Sequence, residues 1–242
     1  MQKEENWFTS WFDTDFYHIL YKDRDHDEAE VFMSHLTSYL NIPENGKILD
    51  LACGKGRHAI FLNSLGYHVV GADLSENSID YAKQFENETL EFKVHDMSLP
   101  FGEKFDAVFN LFTSFGYFEK EEDNLNTLRS IKENLKDDGL AVIDFMNVNY
   151  VIKNLVPNEI KTVEGIDFHI SRYVKEGYII KEINFKFENE EFSFKERVKA
   201  LTLNHFENYF QKAEITLLDI FGDYKLNKFN IEQSQRLIMV FK

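Results

Sequence analysis

An α/β fold, a mostly parallel sheet set between helices, is what this sequence predicts, and three observations predict it. Short apolar runs alternate with helical stretches from residue 47 to residue 146, the rhythm of successive β–α units. A glycine-bearing stretch, Asp50-Leu51-Ala52-Cys53-Gly54-Lys55-Gly56, falls where the first apolar run hands over to a helix. Beyond Pro157 the apolar period changes to two, and the chain closes on two further apolar runs.

Each element follows from its pattern. Residues 7–40 read as helical, because Phe16, Ile19, Leu20 and Tyr21, then Val31, Phe32, Leu36 and Leu40, recur at three- and four-residue steps. Residues 41–46, with Pro43, end that segment. Strands are expected at 47–52, 68–73, 90–96, 105–112 and 140–146. Helices are expected at 57–65, closed by Gly66, from the N-cap Ser75 to 85, and at 121–135 ahead of the turn Asp137-Asp138-Gly139. The period-two runs 165–175, 178–187 and 191–203 predict three antiparallel strands, 204–212 a helix, and 215–222 and 236–242 the last strands. The chain is treated as one domain: an N-terminal helical lid (1–46), a core (47–156), a β-rich insertion (157–203) and a closing helix with the last strands (204–242).

Composition limits the partners. A chain of 242 residues with 43% hydrophobic and 15% aromatic residues can bury a core, which argues against disorder. The formal charge of −15 sets 42 acidic against 27 basic residues, so a phosphate backbone would be repelled and a nucleic-acid substrate is disfavoured. One cysteine, Cys53, excludes an internal disulfide framework and fits a reducing cytoplasm. The N-terminal stretch mixes acids with aromatics and does not read as a secretory signal, and no apolar run approaches the ~18–20 residues that span a bilayer. No paired cysteine or His-x-x-x-His spacing points to a metal. The oligomeric state is open, a homodimer included.

The glycine stretch carries the chemistry. Gly54, Gly56 and Ala59 satisfy a dinucleotide pattern, in which glycines let the backbone turn sharply and the following helix offers free N–H groups to a ligand. Asp73 ends the second strand, 23 positions after Asp50, and Asp96 ends the third, another 23 on. Ligands of open α/β sheets bind beyond the carboxyl ends of the strands, so the three acids point into one crevice. An NAD-dependent oxidoreductase explains the glycines and Asp73, but not Asp96 or the terminal antiparallel strands.

LDLACGKGRHAIFL, VVGADLSENSIDYAK, HDM and FDAVFNLFTSFGYF resemble the successive motifs of class I S-adenosylmethionine-dependent methyltransferases. The resemblance covers 47–146 well and the last two strands more loosely. It implies a Rossmann-like seven-stranded sheet ending in a reversed β-hairpin, with S-adenosylmethionine as cofactor and S-adenosylhomocysteine as product. It implies that Asp50, Ala52, Gly54 and Gly56 meet the methionine part, and that Asp73 holds the ribose with Leu74 against the adenine. Asp96 would take the adenine amino group with Met97 beside it, and Asn110 and Leu111 would lie beneath the methionine. Ala52 stands where glycine is more usual. Asn110 replaces an acid common in nucleic-acid or N-methylating members, and no Asn-Pro-Pro-Tyr or Asp-Pro-Pro-Tyr sequence is present, which disfavours methylation of a nucleobase or glutamine amide by that motif. The N-terminal aromatic helix and β insertion look most like the small-molecule branch.

The expected activity is therefore methyl transfer to a nitrogen or oxygen of a small molecule. A non-catalytic module that only binds S-adenosylmethionine has the same motifs and stays open. Aromatic faces that stabilise a sulfonium could come from Trp11, Phe16, Tyr17 and Tyr21, or from Phe112, Phe115, Tyr117 and Phe118. Tyr21 is the preferred lid residue over the cofactor. His18, His58, His169 and His205 are the available bases, with core or surface roles expected for each. Residues 157–203 are expected to cover the acceptor, with Arg172 and Tyr173 as contacts.

Overall fold

The computed structural model describes residues 11–22 and 26–242, the side chains of 26 and 27 excepted. The chain divides into two compact units, one formed by 1–24 with 151–200 and the other by 25–150 with 201–242. Residues 11–22 thus group with the β-rich insertion rather than with the strands that follow them.

The larger unit is built on one seven-stranded sheet. Helix α2 (His26–Leu40) leads into β1 (Lys47–Leu51), α3 (Arg57–Ser64), β2 (His68–Asp73), α4 (Glu76–Ala82) and β3 (Leu90–Val94). There follow β4 (Phe105–Asn110), α5 (Glu121–Glu133) and β5 (Leu135–Met146), and later α7 (Leu203–Lys212), β10 (Leu217–Phe221) and β11 (Arg236–Phe241). The spatial order is β10-β11-β5-β4-β1-β2-β3. β1 to β5 run parallel, whereas β11 lies antiparallel to both β5 and β10. This is the α/β sheet with a reversed terminal hairpin that the sequence predicts. Its apolar strands are buried: Ile48, Leu49, Ala107, Val108, Phe109 and Ile143 are fully covered, each large one contributing about 1.5–3 kcal/mol through lost apolar surface.

Several boundaries move for local reasons. β3 stops at Val94 because Asp96 starts a turn, its Oδ1 accepting from the N–H of Ser98 at 2.9 Å. β4 stops at Asn110 because Phe112 and Thr113 are left-handed, with φ of 57° and 64°. β5 begins at Leu135 instead of 140, and the expected turn at Asp137 to Gly139 is absorbed as an irregularity in its pairing with β4. Gly139 is needed there, since a Cβ would stand 2.8 Å from the Phe105 carbonyl oxygen.

The smaller unit holds α1 (Asp15–Leu20) and a separate antiparallel sheet in the order β6-β7-β8-β9. These strands are Asn158–Val163, Ile166–Lys175, Tyr178–Phe187 and Glu190–Lys199, joined to the larger unit's chain through α6 (Val148–Lys153). The sequence pattern gives three of them and misses β6, where the apolar Ile160 is exposed while the charged Glu159 and Lys161 are half-buried, against the usual alternation. An aromatic cluster of Trp11, Phe168, Phe185, Phe192 and Phe194 joins α1 to this sheet. The indole of Trp11 is fully buried and donates to Glu196 Oε1 at 2.8 Å.

Candidate cofactor site

The three acids stand at or just beyond the carboxyl ends of three parallel strands, β1, β2 and β3. Asp73 is held by the loop itself: Oδ2 accepts from the N–H of Gly54 at 2.8 Å and Oδ1 from the N–H of Ser75 at 2.9 Å. Both bonds favour the carboxylate and fix its direction. Next to it Leu74 is an exposed leucine, and Ser75 caps α4 by accepting from the Ser78 N–H at 3.0 Å. Asp96 uses Oδ1 on the Ser98 N–H and hydroxyl, and Met97 meets the Asn110 amide through its sulfur at 3.8 Å.

The glycine loop turns by left-handed residues: Ala52 at φ 62°, Gly54 at 56° and Gly56 at 82°. The two glycines do different work. A Cβ on Gly54 would meet nothing within 4 Å, which leaves its face open to a ligand. A Cβ on Gly56 would stand 2.4 Å from the ring of Phe92, so Gly56 lets α3 settle against the sheet. Its carbonyl then accepts the first helical N–H, from Ile60, at 2.9 Å.

Among the described residues three buried acceptors lack donors, Asn124 Oδ1 on α5 and two at this site. Asp50 is 2% exposed and its Oδ2 has no hydrogen-bond partner, although the Ala59 N–H bonds its carboxylate. Burial first, and then the Asp73 carboxylate, push the Asp50 carboxyl up to about 7, against the pull of Ala59 and Arg57. Asn110 is fully buried and its Oδ1 is also unpartnered, while its Nδ2 donates to the Leu51 carbonyl at 3.2 Å. Buried polar atoms are nearly always satisfied, so such a pair at adjacent strand ends marks a place built for donors brought from outside. A methionyl ammonium is such a donor, and the residues present fit one. Leu111 is buried in the main apolar cluster.

Beyond β4 lies an arrangement that sequence reasoning missed. Asp144 of β5 is fully buried; its Oδ2 accepts from the Phe112 N–H at 2.8 Å and its Oδ1 from Arg236 Nε at 2.8 Å. Arg236 Nη2 donates to the Thr113 hydroxyl at 2.9 Å, and the Thr113 N–H donates to the Asp144 carbonyl at 2.9 Å. The pair fixes the two left-handed residues, and the ring of Phe112 stacks on His58 with centroids 4.3 Å apart. A lone acid near the end of an apolar strand, Ile143-Asp144-Phe145, was the one signal available.

The other candidates have local duties. Tyr21 lies in the smaller unit, where its hydroxyl donates to Glu196 Oε1 at 2.7 Å and accepts from Lys181. Arg172 pairs with Glu159 at 2.8 Å and the Tyr173 hydroxyl donates to Glu182 at 2.9 Å. Trp11, Phe16 and Tyr17 belong to the aromatic cluster of that unit, and Phe115 is fully buried. Half-buried Tyr117 and Phe118 follow it, while His18 is half-buried with its ring 5.3 Å from that of Tyr17. His205 caps α7, its Nδ1 accepting from the Thr202 N–H at 3.0 Å, and His169 is exposed on β7. Among the described residues no helix is long and apolar enough to cross a membrane.

A parallel sheet with its last strand turned back between β5 and β10, and with acids closing β1, β2 and β3, defines the class I methyltransferase fold. Residues 48–139 match the methyltransferase domain family. A Bacillus subtilis relative that bears a methyltransferase name is 34% identical over 122 residues, 49% of each chain. The dTDP-3-amino-3,4,6-trideoxy-alpha-D-glucopyranose N,N-dimethyltransferase of Streptomyces venezuelae is 33% identical over 104 residues, 42% of this chain and 43% of that one. These matches span about half the length of the relatives or less. A Clostridium acetobutylicum S-adenosylmethionine-dependent methyltransferase shares the fold over 94% of this chain and 95% of its own, with a TM-score of 0.79 at 19% identity. Residues 48–139 thus resemble a methyltransferase domain, and the chain shares the fold of S-adenosylmethionine-dependent methyltransferases.

Proposed function

We propose that this chain transfers the methyl group of S-adenosylmethionine to a nitrogen or oxygen of a small molecule. The observation that carries the reading is the set of acids at the strand ends: Asp73 oriented by two backbone N–H groups beside the open face of Gly54, and Asp50 buried with a free oxygen. The small, amine-bearing sugar named for the Streptomyces relative supports a nitrogen acceptor. When bound, the cofactor would supply an electrophilic sulfonium methyl to the acceptor, with S-adenosylhomocysteine as the leaving group.

The residues then bind and orient. Asp50, Ala52, Gly54 and Gly56 take the methionine part, Asp73 the two ribose hydroxyls and Leu74 one face of the adenine. Asp96 receives the adenine amino group beside Met97, while Asn110 and Leu111 lie under the methionine. Alignment of this kind supplies roughly 7–11 kcal/mol of the barrier without a dedicated base. Acceptor choice is assigned to residues 157–203, where Glu159, Arg172, Lys181 and Glu196 place charges on all four strands.

Calorimetric titration tests the reading. S-adenosylmethionine and S-adenosylhomocysteine should bind at micromolar strength and NAD should not, with Asp73→Ala about tenfold weaker or more. Tyr21→Ala in the same series decides whether Tyr21 touches the cofactor. A screen of small amines and hydroxy compounds for S-adenosylhomocysteine release then separates an enzyme from a binding module. Binding of NAD alone would overturn the assignment.

A further inference from the structure

Asp50 combines three properties that seldom meet in one carboxyl group. It is 2% exposed, one of its oxygens has no donor, and it stands at the mouth of the cofactor loop. An isolated buried carboxylate is expensive, and a group so placed takes up a proton instead. The groups around it do not remove the cost. From β2, Asp73 adds a second negative charge; from the loop, Cys53 is a buried thiol held neutral by burial and by the charges of Asp50 and Asp73. From α3 come the Ala59 N–H and the Arg57 guanidinium. Arg57 also donates to Nε2 of the neighbouring His58, at 3.2 Å from Nε and 2.7 Å from Nη2. On β4, Phe109 stands opposite Asp50 and Asn110 follows with its Nδ2 given to the Leu51 carbonyl, while Lys55 of the loop lies over the ring of Tyr81.

We propose that Asp50 carries a proton until the cofactor arrives and gives it up when the cofactor's α-ammonium docks on its Oδ2, so that cofactor binding releases a proton. The inference rests on the placement of the methionine part given above. The balance is simple: the carboxyl O–H bond breaks, its proton passes to the buffer, and an ammonium N–H···O⁻ bond takes its place. No redox partner or further reactant is involved. The ammonium then supplies both the counter-charge and the missing donor, and the carboxylate becomes the stable form. Affinity for the cofactor accordingly weakens as pH falls below the value at which Asp50 titrates.

Wild-type protein titrated with S-adenosylhomocysteine in two buffers of different ionisation enthalpy reads the proton directly. The expected release is about one proton per ligand at about pH 6, falling to almost none at about pH 8.5, and absent in Asp50→Asn. Binding without proton release at the lower pH overturns the proposal, and so does a release that persists in Asp50→Asn. If that variant does not fold or bind, infrared difference spectra of the wild type decide. The carbonyl band of a protonated carboxyl must disappear on adding S-adenosylhomocysteine, and its persistence counts against the proposal. Failure of the wild type to bind S-adenosylhomocysteine at all would instead overturn the cofactor reading, and this inference with it.

Discussion

The two glycines of the cofactor loop look alike in sequence and differ in what surrounds them. Both have positive φ, where a side chain costs about 1–2 kcal/mol, and Ala52 already bears such a cost at φ 62°. Gly54→Ala meets open space, so its cost to the fold stops near that figure, while its methyl occupies the face on which the cofactor should rest. Gly56→Ala must in addition displace Phe92, which adds about 1–3 kcal/mol of overpacking. Urea melts and S-adenosylhomocysteine titrations should therefore separate them: Gly54→Ala about 1–2 kcal/mol less stable than wild type but binding at least tenfold worse, Gly56→Ala less stable by about a further 1–3 kcal/mol. The pattern Gly54-Lys55-Gly56 and the 23-residue spacing of the acids were legible because each obeys a local rule. Which glycine faces a ligand was not, because Phe92 lies 36 positions beyond Gly56 and joins it only through the sheet.

Among the elements, strands carried by continuous buried apolar runs were readable, and the details set by distant partners were not. β1, β2 and β4 appear as apolar runs, yet the end of β4 depends on Asp144 and Arg236, which are 92 positions apart. Asp144 is fully buried and Arg236 half-buried, so removing the arginine strands a buried charge. Arg236→Met should cost about 3–5 kcal/mol in chemical denaturation, because Asp144 loses its partner while still holding the Phe112 N–H. Adding Asp144→Asn to that variant removes the stranded charge and should recover part of the loss, so the double change costs less than the sum of the singles. Additive losses would show that the two residues do not act as a unit. The missed strand β6 has a different origin: it is an edge strand whose residues before Val163 stay exposed or half-buried, so its apolar signal is weak.

At the scale of the whole molecule, the seven-stranded sheet and its reversed hairpin followed from the family resemblance, but the grouping of residues 11–22 with 151–200 did not. Nothing local tells Trp11 that its indole will bond Glu196, 185 positions away. The pH response of the fold is likewise a property of the assembled site. Asp50 titrates at about 7 in the folded chain and near the ordinary aspartate value, about 3.9, when unfolded. Between those values the folded state holds the extra proton, so Asp50 favours folding fully below about pH 4 and that contribution is lost as pH rises through about 7. About three pH units correspond to an upper bound of about 4 kcal/mol. Glu103, Glu159 and Glu182 behave in the opposite sense, held below the usual range by Lys47, Arg172 and Lys195, and they lose their contributions only in more acidic solution. From pH 5 to 8 the difference between Asp50→Asn and the wild type therefore reads Asp50. Asp50→Asn keeps an acceptor for the Ala59 N–H but cannot ionise, so without cofactor it should be more stable than wild type at pH 8. That advantage should shrink steadily as pH falls to 5. A stability difference that stays constant across the interval would mean that Asp50 does not titrate within it.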